Sequence, residues 1–192
     1  MKCQSFYKIG ILIKGDDRMR RIIMNLAMSL DGFIANEDGS FQWIKGYNDN
    51  TLNTDNSYNY ETLLEDIDIV VMGKRCYEQD MHLDFKMKTV YVATHSMITD
   101  YDNIKFCGED IIEVIKEEQR KTGKDIMLFG GGQLINTFLQ ADCIDEYIIG
   151  LIPVILGAGR PLFYGGYPPI ELKLEEYMVD KGIVILRYVN RS

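Results

Sequence analysis

Apolar residues in this chain fall into short blocks separated by polar, glycine-bearing turns, and two periodicities alternate along it. Ile22–Met28, Ile67–Met72, Thr89–Thr94 and Ile126–Phe129 are near-continuous runs rich in Ile, Val and Tyr. That is the pattern of strands buried on both faces. Glu109–Thr122 carries Ile111, Ile112 and Ile115 at helical spacing and stops at Gly123. Gln133–Ala141 places Leu134, Ile135, Phe138 and Leu139 on one face of a helix. Asn59–Asp66 predicts a shorter helix with Leu63 and Leu64 inward. Strand and helix periods in turn are the rhythm of an α/β fold.

The end of the chain changes style. Glu146–Leu156 predicts a long strand, bent or ended near Pro153 and Gly157. Leu172–Val179 and Ile183–Val189 then flank Asp180-Lys181-Gly182 as a β-hairpin. A mostly parallel sheet therefore finishes in antiparallel strands. At the other end, residues 1–18 stand apart from a domain spanning 19–192. They read either as an extension or, through Phe6–Ile13, as an added edge strand.

Composition narrows the function classes. A length of 192 residues suits one domain with a sizeable core. Net charge is −8, and the lysines and arginines are scattered, which argues against nucleic acid as a partner. The longest apolar stretch, Tyr147 to Gly159, is too short to span a bilayer and contains Pro153. Four dispersed cysteines and two histidines offer no metal-ligand spacing. Reduced thiols in a cytoplasmic protein are the expectation.

Three strand ends carry phosphate-type chemistry. Ile126–Phe129 runs into Gly130-Gly131-Gly132 and then a helix. Glycines let a backbone approach a pyrophosphate closely at a helix N-terminus, although a strand-to-helix turn also uses glycine for geometry alone. Val71-Met72-Gly73-Lys74-Arg75-Cys76 repeats the strand, glycine and helix order with two cations, and Thr94-His95-Ser96 ends a third strand. Ligands of open α/β sheets collect at the carboxyl ends of strands, so the combination favours a dinucleotide. The first strand leads through Ser29–Ala35 into Asn36–Ser40 and then Phe41-Gln42-Trp43-Ile44. This polar loop between apolar anchors reads as a flap over a flat substrate, with Trp43 serving it or the core.

Ala27–Ala35 with Trp43, Val71–Glu78, Phe129–Leu139, and Ile144-Asp145-Glu146 leading to Pro153–Gly157 together resemble the dihydrofolate reductase superfamily. The riboflavin-biosynthesis reductase branch is the nearest match. The resemblance implies a three-layer fold with a mixed, mostly parallel sheet of about eight strands, flanked by helices and ending in an antiparallel hairpin. It implies hydride transfer from NADPH to a pyrimidine, pterin or related heterocycle, and leaves a homodimer open. The implied cofactor positions are Ala27 and Ile34 at the nicotinamide, Lys74, Arg75, Thr94 and His95 at the adenosine 2′-phosphate, and Gly73 and Cys76 in the same turn; family members usually carry Arg and Thr where Lys74 and Cys76 stand here. Gly130, Gly131 and Gly132 would hold the pyrophosphate, with Gly130-Gly131 as a cis peptide, and Gln133 and Leu134 follow as further cofactor positions. Asp31, Trp43, Asn48 and Phe129 would face substrate. Folate reductases place a carboxylate where Asn48 stands here, which leaves Asp49 as the catalytic acid. Riboflavin-pathway reductases place a glutamate where Phe129 stands. A nucleotide-binding sensor without turnover is the competing class.

Overall fold

The computed structural model describes residues 18–191, so the Phe6–Ile13 edge strand lies outside the described residues. Among the described residues, ten strands and four helices follow one another as β1 (Ile22–Ser29), β2 (Phe33–Ala35), α1 (Tyr60–Glu65), β3 (Ile67–Gly73), α2 (Lys74–Glu78), β4 (Thr89–Ala93), β5 (Ile104–Cys107), α3 (Ile111–Gln119), β6 (Asp125–Gly130), α4 (Gly132–Gln140), β7 (Glu146–Ile152), β8 (Arg160–Pro161), β9 (Leu172–Asp180) and β10 (Ile183–Asn190). A short 3₁₀ turn, Met81–Phe85, follows α2. Eight strands form one sheet in the order β5-β4-β3-β6-β1-β7-β10-β9, and β2 pairs with β8 outside it. The strands from β5 to β7 are parallel, and β10 and β9 are antiparallel.

Alternating side chains feed two cores. Ile22, Met24, Val71, Ile126 and Leu128 pack against Ile111 and Ile115 of α3 and the apolar face of α4. Ile23, Val70, Met72, Val92 and Met127 face the other way, onto Leu63 and Leu64 of α1, Tyr77 of α2 and Phe85. Strands covered on both faces cannot show polar alternation, which is why the buried runs were near-continuous.

The elements end where local chemistry stops them. Asn59 caps α1, its side chain accepting from Thr62 N at 3.1 Å. Lys181 and Gly182 both hold positive φ (49° and 83°), the two-residue hairpin turn that matches strand twist. The strand expected from Glu146 ends at Ile152, immediately before Pro153, where Val154 N turns back to Ile152 O. Leu156 N and Gly157 N are then taken by Asp31, whose second partner set includes the Ser29 hydroxyl.

The amino ends of the parallel strands carry a charged base, opposite the glycine loop. Asp125 is fully buried and accepts from Arg21 N and the Arg21 guanidinium, and Arg21 and Arg187 converge on Glu146. Asp145 accepts from Ile22 N at 2.7 Å and from Gln119. Asp145 and Glu146 therefore tie strand ends together, far from the carboxyl-end cleft.

Candidate active site

A cleft of about 1220 Å³ opens at the carboxyl ends of β1, β3, β4 and β6. Its floor is the turn from β6 into α4. Gly130 and Gly131 hold φ values of 142° and 60°, which L side chains rarely adopt, and the peptide between them is trans rather than the cis bond the resemblance implied. The two following glycines differ in what they permit. A Cβ on Gly131 would meet no atom within 4 Å and would project into open space. A Cβ on Gly132 would strike Pro161 O at 2.5 Å and the Tyr164 ring at 2.7 Å. Gly131 leaves a concavity for a ligand, whereas Gly132 allows packing under the β2–β8 pair.

β3 delivers the second wall. Gly73 caps α2, so Lys74 and Arg75 occupy its first turn. Lys74 Nζ donates to Ser96 Oγ at 3.0 Å and lies 3.5 Å from Glu78, while Arg75 is exposed. Ser96 is itself held by a turn in which its N–H donates to Thr94 Oγ1 at 3.0 Å. Burial pushes the Cys76 thiol up, against opposing hydrogen bonds from the Gly131 and Gly73 backbone, so it stands as a neutral thiol between the two glycine turns.

Every cofactor position named from the sequence lines this cleft: Ala27, Ile34, Gly73 to Cys76, Thr94, His95 and Gly130 to Leu134. Phe129 lines it as well. It is the extra residue where β6 slips against β3, since Val71 pairs with Leu128 and Met72 with Gly130. Its ring meets Phe85 edge-on at 5.2 Å. Asp31, Trp43, Asn48 and Asp49 are not among the lining residues. Asp31 clamps the 153–157 loop, Asn48 holds a positive φ of 61°, and Asp49 accepts from Thr51 N at 2.9 Å and from its hydroxyl. The Thr51 hydroxyl, followed by the Thr51 backbone, holds the Asp49 carboxyl below its ordinary range. It is an ionised loop staple.

Other lining residues escaped the sequence reading. Arg160 reaches in from β8 and donates to Glu37 O at 3.1 Å, pinning the 36–40 loop. Phe41 and Ile44, unlike these, were read from the sequence as apolar anchors of that flap, and both line the cleft. Tyr58, Tyr60 and Asp84 close the far side, where burial and then the Asp84 charge push the Tyr60 phenol up to about 12. Asn25, from the middle of β1, is the polar break in an otherwise apolar run, and that break was the available signal.

Sheet order, glycine turn and cleft define a dihydrofolate-reductase-like domain. Within that class the chain belongs to the RibD C-terminal domain family, whose profile matches residues 20–185. It is 34% identical over 178 residues to the uncharacterized protein YwjB of Bacillus subtilis, covering 88% of this chain and 98% of that one. A solved structure from Shewanella sp. PV-4, described as a candidate riboflavin biosynthesis protein, is 27% identical with a TM-score of 0.73, covering 90% and 99% of the two chains. Dihydrofolate reductase from Enterococcus faecalis, complexed with NADP(H), shares the fold at 13% identity and a TM-score of 0.61, over 91% and 99% of the chains. The family is one of reductase-like domains.

Proposed function

We propose that this protein is an NADPH-dependent reductase acting on a flat heterocycle of the pyrimidine or pterin type. The observation that carries the reading is the open concavity at Gly131, set at the N-terminus of α4 beside Lys74, Arg75 and the Thr94–Ser96 turn. A phosphorylated dinucleotide fits this chemistry. Backbone N–H groups at a helix N-terminus favour anions, and the two side-chain cations supply charge-assisted donors. When bound, NADPH supplies the hydride.

The chain supplies position and a dry surface. Ala27 and Ile34 offer small and flat apolar contacts beside the glycine turn. Phe129, Ile148, Ile183 and Ile185 make an apolar wall against which a planar ring can lie. Phe41 and Ile44 cover the opening, with the flap held by Arg160, and exclude water from the reacting atoms. The carboxylates lining the cleft are Glu78, Asp84 and Glu109, and Asp84 stands on the side of Tyr60. Asp49, bound to Thr51 outside the cleft, favours the competing reading of binding without turnover.

One experiment separates the two. NADPH consumption is followed with a panel of oxidised and partly reduced pteridines and pyrimidines. Consumption that depends on one heterocycle supports the reductase. Tight NADPH binding with no consumption across the panel supports the sensor, and no NADPH binding defeats both.

A further inference from the structure

β1 is apolar from Ile22 to Met28 except at Asn25. That side chain lies opposite Ile148 of β7 and lines the cleft among Phe129, Ile148, Ile183 and Ile185. A primary amide in an apolar wall is costly unless its groups are paired. Among the described residues, only one end of this amide is paired. The Tyr58 hydroxyl donates to Asn25 Oδ1 at 3.0 Å, and among the described residues no partner takes the Asn25 Nδ2 hydrogens.

Tyr58 is well placed to hold that amide. It immediately precedes Asn59, the cap of α1, so its backbone is fixed by the start of the helix. Burial pushes its phenol far above the ordinary value, so it remains a donor throughout the neutral range. With the carbonyl oxygen engaged, the amide is locked with its N–H groups toward the cavity. Two residues further along the same face of β1 is Ala27, about 6–7 Å away at the rise of a strand. That is one ring's width from the position assigned to the nicotinamide.

We infer that Asn25, oriented by Tyr58, selects the substrate, and selects heterocycles that present a hydrogen-bond acceptor such as a ring carbonyl. The inference rests on the reading that this half of the cleft takes the heterocycle. Closing a ligand over the amide without an acceptor strands a donor away from water. Sites built around a hydrogen bond reject analogues that lack the matching group far more strongly than apolar pockets reject a change in size. Asn25 is thus a specificity residue and Tyr58 a positioning residue.

The test uses the full chain without cofactor and two fluorescent probes of one ring skeleton, a dioxopteridine and the corresponding diaminopteridine. Equilibrium titrations compare wild type with Asn25→Asp and Tyr58→Phe. Wild type should favour the dioxo probe. Asn25→Asp keeps the shape but replaces the donor with an acceptor, so dioxo affinity should fall roughly 5- to 150-fold and the ranking should reverse. Tyr58→Phe frees the amide to rotate, so discrimination should shrink without reversing, while thermal unfolding reports that the variant is folded. Equal or weaker wild-type binding of the dioxo probe, binding of neither probe, or an unchanged ranking in Asn25→Asp overturns the inference. If Asn25→Asp does not fold, Tyr58→Phe decides, and undiminished discrimination there also overturns it. A parallel NADPH titration keeps the two readings apart. Loss of NADPH binding in wild type would defeat the reductase, whereas the probe ranking judges Asn25 alone.

Discussion

Arg75 and Lys74 share one turn of α2 but not one situation. Lys74 is already engaged with Ser96 and Glu78, whereas Arg75 is exposed at the rim of the cleft. If the proposed function holds, the guanidinium is therefore the group expected to meet the 2′-phosphate. A hydrogen bond to a charged group contributes about 1.5–3 kcal/mol, or roughly 10- to 150-fold in affinity. Arg75→Ala should weaken NADPH by that order, leave NADH nearly unchanged, and do so less at high salt. Paired titrations with the two cofactors check it, and an equal loss for both would place Arg75 on the shared pyrophosphate instead. At this scale the sequence was most informative where residue type and strand end coincided. Gly73 to Cys76, Thr94 and Gly130 to Leu134 sit at strand ends and converge on one cleft. Asn48 and Asp49 sit in a polar loop whose path no periodicity specifies, and that path carries them away from the lining.

The glycine turn shows how an element can divide binding from folding. Gly132→Ala would drive a Cβ into the Pro161 carbonyl, which cannot yield without moving β8 and the flap pinned through Arg160. Overpacking of this kind costs about 1–3 kcal/mol. The expected result is a lower midpoint in thermal or urea unfolding, and an unchanged midpoint would show that the β2–β8 pair gives way easily. The elements legible from pattern alone were those with a marked apolar run or face, the short α1 included. β1, β3, β4 and β6, α3 and α4, and the β9–β10 hairpin all fall within a few residues of expectation. β5 has four residues that are largely half-exposed, and β2 and β8 have three and two, so none presents enough periodic sequence to read. Their existence depends on tertiary pairing, which single-sequence pattern does not encode.

On the scale of the whole molecule, the candidate cleft and a buried charged network occupy opposite ends of the sheet. The amino-end base is a network of Arg18, Arg21, Asp125, Glu146 and Arg187. Burial raises the Asp125 carboxyl, but the Arg21 backbone and the two guanidinium groups outweigh it and hold it below its ordinary value of 3.8. A carboxyl depressed in the folded state contributes stability above its unfolded pKa and loses it as pH falls through the folded value. Asp125→Asn should thus destabilise by about 2–4 kcal/mol at neutral pH. This is less than for a wholly buried pair, because Arg21 keeps over a third of its side chain in solvent. The difference from wild type should persist from pH 7 to 5 and vanish only in stronger acid. Urea unfolding across that range measures it, and a gap that closes between pH 7 and 5 would assign the effect to another group.

In the proposed function the open cradle at Gly131 receives a phosphorylated cofactor. The most direct test is a calorimetric titration of NADPH into wild type and Gly131→Ala. An alanine at a φ of 60° is strained by about 1–3 kcal/mol, yet its Cβ meets nothing within 4 Å, so the variant should fold with a modestly lower midpoint. Because that Cβ would occupy the space that the proposed function gives to the pyrophosphate, NADPH affinity should fall at least about tenfold beyond any loss of folded protein. A folded Gly131→Ala variant that binds NADPH as wild type does would contradict the account.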